Sequence, residues 1–122
     1  MELEEFEVVV RDTLKNLPLK FSEILKKERI EILCRENVPV AVRERFPQKI
    51  VFGVFVGISR KDKSTFSIQV EPTRIELYKE SFEQVYGQEI TDDIKKRIAQ
   101  TVIHEIAHYF GFNEDEIASR GF

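Results

Sequence analysis

The chain holds one cysteine, one methionine, no tryptophan and two histidines among 122 residues. A lone Cys34 cannot close an intrachain disulfide, so the fold does not depend on oxidation. A basic excess is missing as well. Lys+Arg 19 against Asp+Glu 22 leaves a formal net charge of −3, where a nucleic-acid binder would usually present a basic face. The most apolar stretch, Val51–Ile58, falls far short of the roughly 20 residues a membrane helix needs. Low-complexity tracts and internal repeats are absent. The first residues, MELEEFEVVV, are acidic where a signal peptide or mitochondrial presequence would be basic. A soluble cytoplasmic protein is therefore expected, with no nucleic-acid or membrane partner. The length suits a single domain over residues 1–122 that buries a core without staples.

The hydrophobic pattern changes period along the chain. Leu3, Phe6, Val10, Leu14 and Leu17 recur at helical spacing, which predicts a helix over 3–16 that Pro18 interrupts. Phe21, Ile24 and Leu25 suggest a shorter helix at about 19–28. From Ile30 the period becomes two, and Ile30, Ile32 and Cys34 read as a strand that buries the thiol. Val38, Val40 and Val42 alternate around Pro39, which predicts an irregular or edge strand followed by a loop over Arg43–Gln48. The Val51–Ile58 segment reads as a bent buried strand or a packed loop, either core or the lining of a cleft. Arg60–Ser64 reads as a charged turn. Phe66, Ile68 and Val70 alternate, as do Ile75 and Leu77. Ser81–Tyr86 fits one or two helical turns stopped by Gly87.

Near the end, Thr91 is a good N-cap, with Asp92 and Asp93 where the helix dipole favours acids. Ile94, Ile98, Val102, Ile106 and Phe110 then run along one side of a long helix that Gly111 ends. Asn113 can cap a final short helix, with Glu116 at the capping-box position. Helices at both ends with strands between them make the class α+β.

Both histidines fall in one five-residue window, His104-Glu-Ile-Ala-His108. On a helix, positions i and i+4 share a face, so two imidazoles can bind one metal ion, and Glu105 can reach a water held on it. That is the physical content of the HExxH pattern: two ligands and a general base within one turn. Two histidines placed at random would show this spacing, with Glu after the first, on the order of 0.2% of the time, which makes the match specific. On a helical projection His104 and His108 lie opposite the apolar stripe, with Arg97 and Thr101. A catalytic zinc needs a third protein ligand, and no histidine remains. Gly111 lets the chain turn back, which brings Glu114 within reach. Asp115 is the neighbouring candidate, and an upstream side chain is the remaining one. Acids here also fit the first turn of the last helix.

HEIAHYFGFNE, His104–Glu114, resembles the extended zincin pattern HExxHxxGxx(H/D). More closely, the chain resembles the small bacterial minimal zincin family of zinc metallopeptidases. The likeness extends to FSEIL near the start and to RIELYKESFE, Arg74–Glu83. It implies a small zincin-like domain with N-terminal helices, a small mixed or antiparallel sheet and a long C-terminal metal-binding helix. It implies one Zn2+ on His104 and His108, Glu105 as base, an acid at Glu114, and a peptide or protein substrate. Family members usually carry Asp at that third site, so Glu114 is a departure. Metzincins fit less well, because they place a histidine there and a methionine turn downstream, and the one methionine here is Met1.

A second expectation is a zincin-fold module that binds metal or a protein partner without turnover, because so short a chain leaves little to wall a cleft. Tyr78, Tyr86 and Tyr109 are candidate oxyanion stabilisers, though tyrosines are more often packing residues.

Overall fold

The computed structural model describes residues 1–57 and 73–120. Two amphipathic helices come first, α1 (Leu3–Lys15) and α2 (Leu19–Lys27), as the helical spacing predicts. Pro18 separates them and stands at the N-cap of α2, where its missing N–H costs nothing. Strand β1 (Glu31–Arg35) follows. It is succeeded by the short helix α3 (Val40–Arg45), strand β2 (Gly53–Val56) and strand β3 (Arg74–Tyr78). Helices α4 (Lys79–Tyr86), α5 (Asp92–Tyr109) and α6 (Glu114–Ser119) complete the described order. The class is α+β, as expected.

The sheet is mixed. Its order is β1-β3-β2, with β3 in the centre. β1 pairs with β3 in parallel, Ile32 opposite Ile75, and β2 pairs antiparallel, Phe55 opposite Ile75. Side chains alternate along β3. Ile75 and Leu77 join the buried cluster that also holds Phe6, Val9 and Val10 of α1 and Ile94, Ile98 and Val102 of α5. Glu76 and Tyr78 point the other way, and both are also buried. Glu76 accepts from Arg74 Nε at 2.8 Å, Arg35 at 3.0 Å and the Tyr78 hydroxyl at 3.2 Å. Burial alone would raise its pKa. The Arg35 and Arg74 guanidinium groups outweigh that and hold the carboxyl below the usual range.

One expectation is corrected. The Val38–Val42 segment is not a strand: Pro39 caps helix α3, and the expected loop from Arg43 begins only after Arg45. The alternation there does not follow burial, since Val40 is 69% exposed. The fixed φ of proline suits the residue before a helix, and Glu80 anchors the turn by accepting from Val38 N and Arg43. The side of α5 opposite the apolar stripe is partly covered. Thr101 and Glu105 are buried there, because β2 lies along the helix. Gly53 makes that approach possible: a Cβ on it would lie 2.5 Å from the Glu76 carbonyl oxygen and 3.2 Å from Thr101 Cγ2. The readings of Arg60–Ser64 and of Phe66, Ile68 and Val70 fall outside the described residues. Cys34 is partly buried, and burial, followed by the charge of Glu7, pushes its thiol up to about 11.

Candidate active site

Helix α5 carries both histidines and Glu105. Thr91 caps it by accepting from Ile94 N, with Asp92 and Asp93 in its first turn. Ile94, Ile98, Val102 and Ile106 bind it to the core, which fixes its rotation. His104 and His108 then stand one turn apart, ring centroids 4.9 Å from each other, about one-third exposed.

The turn after α5 decides where Glu114 goes. Gly111 adopts φ +89°, a left-handed conformation that glycine takes without a Cβ penalty. Its N–H donates to the His108 carbonyl, and Phe112 N–H donates to the Ala107 carbonyl. This is the Schellman arrangement, which satisfies the last carbonyls while reversing the chain. Asn113 and Glu116 then exchange capping-box hydrogen bonds at 2.8 and 3.2 Å, and Ile117 buries itself to anchor α6. Glu116 is thus occupied in capping. Glu114 is turned to the histidines: its Oε1 lies 3.1 Å from His104 Nε2 and 2.9 Å from His108 Nε2. Asp115 stays exposed in the same turn. Partial burial raises the Glu114 pKa, but the two histidines outweigh it and hold the carboxyl below its ordinary value.

Glu105 sits on the inner side of the same helical turn. Ligand atoms of His104, Glu105 and His108 all lie within 4.8 Å of one another. The Glu105 carboxylate accepts from the Phe55 backbone N–H of β2 at 3.0 Å. Burial pushes its carboxyl up to about 7; His108 and the Phe55 N–H pull it down, and the charge of Glu114 adds to the rise.

Two imidazole nitrogens and a carboxylate oxygen are a donor set that zinc takes. Ligands about 2.0–2.2 Å from a tetrahedral zinc lie roughly 3.3 Å from one another. The two Nε2–Oε1 separations come close to that edge, so these residues fit such an ion.

The site opens into a cleft of about 870 Å³. The sequence leaves little chain for such walls, yet α2 and residues 46–54 supply them. Val51–Val54 line the cleft beside the histidines, so this apolar stretch serves both as strand and as wall. The sequence reading missed the Phe55 N–H, because a backbone donor has no side-chain signature. Tyr78 and Tyr109 are buried away in packing, and the Tyr86 hydroxyl accepts from Arg97. No helix among the described residues is long and apolar enough to cross a membrane.

No curated protein matches the chain. The family model described as zincin-like metallopeptidase matches residues 28–122, from the end of α2 through the metal-compatible turn, and the chain therefore belongs to the zincin-like metallopeptidase family.

Proposed function

We propose that the protein is a zinc-dependent peptidase of the cytoplasm, acting as one domain, with His104, His108 and Glu114 as metal ligands and Glu105 as general base. The observation that carries this reading is the convergence of both Nε2 atoms on one Glu114 oxygen, beside a buried carboxylate on the same turn. When bound, zinc supplies Lewis acidity towards water and towards a peptide carbonyl.

The chain's own residues do the rest. The Phe55 N–H fixes the orientation of the Glu105 carboxylate. Its burial keeps the proton affinity near neutral pH, where a general base works best. Glu105 takes the proton of the attacking water and passes it to the nitrogen of the departing amine. Glu114 and the two imidazoles hold one another in place from α6 and α5. The substrate lies extended in the cleft, along the segment that leads into the edge strand β2.

The test is elemental analysis of protein purified without chelator or a His-tag, together with a peptide-cleavage panel. One zinc per chain and cleavage that disappears in Glu105→Gln are expected. Cleavage that survives Glu105→Gln would overturn the mechanism. Stoichiometric zinc without any cleavage would leave the non-catalytic binding module as the reading.

A further inference from the structure

The cleft that holds the metal-compatible turn is cationic away from it. Lys20, Lys49, Arg97 and Arg120 line its walls, while the acids lining it are Glu105 and Glu114, both committed to the site above. This asymmetry runs against a net charge of −3. Among the described residues, none of the four cations is ion-paired; the Lys and Arg residues that meet a carboxylate are Lys15, Arg35, Arg43, Arg74 and Lys79.

Arg97 is held by two side-chain contacts. It lies seven residues before His104 on the same side of α5, about 10 Å along the axis. Its Nε donates to the Tyr86 hydroxyl at 2.9 Å, and its guanidinium stacks 5.0 Å from the Phe52 ring centroid. Those two contacts fix the plane of the group and, among the described residues, leave its terminal nitrogens without a carboxylate. A guanidinium held in this way is preorganised for a bidentate carboxylate. Phe52 near Arg97, Gly53 near Thr101 and Phe55 on Glu105 come in the same order as the helix. The strand and α5 therefore run side by side in one direction. An extended peptide rises about 3.3 Å per residue, so Arg97 stands about three residues from the reacting carbonyl.

We propose that the cleft selects peptides bearing a carboxylate about three residues from the scissile bond, bound by Arg97 and attracted by Lys20 and Lys49. The proposal rests on the peptidase reading. The carboxylate is an acidic side chain or the peptide's own C-terminus.

The test is fluorescence anisotropy of zinc-loaded full-length Glu105→Gln protein. The probes are fluorescein-labelled octapeptides with Glu or Gln three residues to either side of a central Ala-Ala bond, each as free acid and as amide. At 50 mM NaCl the Glu peptide should bind about fivefold tighter than its Gln twin, and the gap should shrink below about twofold at 500 mM as salt screens it. Arg97→Gln should remove the gap, and Arg97→Lys should keep part of it. A Glu-over-Gln preference that persists in the amides identifies the side chain; free acids that bind tighter than their amides, with Glu and Gln alike, identify the C-terminus. If Arg97→Gln disturbs the fold, the exposed pair Lys20→Gln/Lys49→Gln carries the same expectation. Equal binding of all the peptides, or a gap unchanged in the charge variants, would overturn the proposal. So would tighter binding of a fluorescein-labelled hexauridylate than of the Glu peptide. Wild-type protein that cleaves both peptides equally refutes the preference and leaves the peptidase intact. Charge-dependent binding without any cleavage does the reverse.

Discussion

Glu76 and Glu105 are both buried carboxylates, one on the central strand and one on the helix that packs against the next strand. Glu76 is met by two guanidinium groups and a tyrosine hydroxyl, and it stays ionised below the usual range. Among the described residues Glu105 is met by one backbone N–H and no Lys or Arg, and its carboxyl rises to about 7. Burial is common to both. The difference lies in the partners, and it separates a carboxylate that holds the sheet from one free to exchange a proton. A buried acid left without a neutralising cation is costly for stability, and such costs are concentrated where chemistry happens.

Substitutions at the two positions should therefore fail in opposite ways. The largest effect is expected for Glu105→Gln: peptide cleavage should fall by at least about a hundredfold, the range of a lost general base. Zinc content and melting temperature should stay near wild type, as elemental analysis and circular dichroism would report. Cleavage retained, or zinc lost, would dissolve the contrast. Next comes the ligand set. His108→Ala should abolish stoichiometric zinc, and Glu114→Ala should weaken zinc affinity roughly ten- to a hundredfold. Asp115→Ala should leave it unchanged, as competition with a chromogenic chelator would show. Zinc affinity should also fall below about pH 6, because protons compete for imidazole.

Glu76→Gln should lower stability with zinc affinity untouched. Removing one partner of a fully buried pair costs about 3–5 kcal/mol. Arg35 is 45% exposed, so about 2 kcal/mol is expected here, a drop of roughly 6–10 °C in Tm. The pH dependence has a definite sign. A carboxyl depressed on folding stabilises the native state above its unfolded pKa of about 4.3, and that contribution is lost as pH falls through the folded value. Wild type should thus lose stability on acidification below about pH 4 more steeply than Glu76→Gln, as urea titrations across pH would show. A loss of stability of similar size is expected for Gly53→Ala. It should cost about 1–3 kcal/mol by overpacking, and by moving β2 it should loosen the Phe55 N–H from Glu105 and lower cleavage as well. Unchanged cleavage would mean that β2 does not position the carboxylate.

Much of the helical framework was legible. The periodicity of α1 and α5, the Thr91 cap and the Asn113–Glu116 capping box are local, so residue type and spacing are enough to read them. The Val38–Val42 segment was misread because three alternating valines imitate a strand. Burial, which decides between strand and exposed helix, is not written in the alternation. The inner side of α5 was not legible for a similar reason: the burial of Thr101 and Glu105 is set by β2, a segment distant in the chain. Nothing in the sequence says that a glycine at 53 allows the strand to come that close.

The sequence by itself determined the pairing of His104 with His108 and the neighbourhood of Glu105, because an α-helix places residues four apart on one face. It also supplied Gly111, which permits the reversal after α5. Only the tertiary structure decided between Glu114 and Asp115 as the acid that meets both imidazoles. That choice follows from the Schellman turn, the capping of α6 by Asn113 and the burial of Ile117, which together fix the direction of α6. It also decided that Glu105 is buried against a backbone donor, since burial depends on which distant strand packs there.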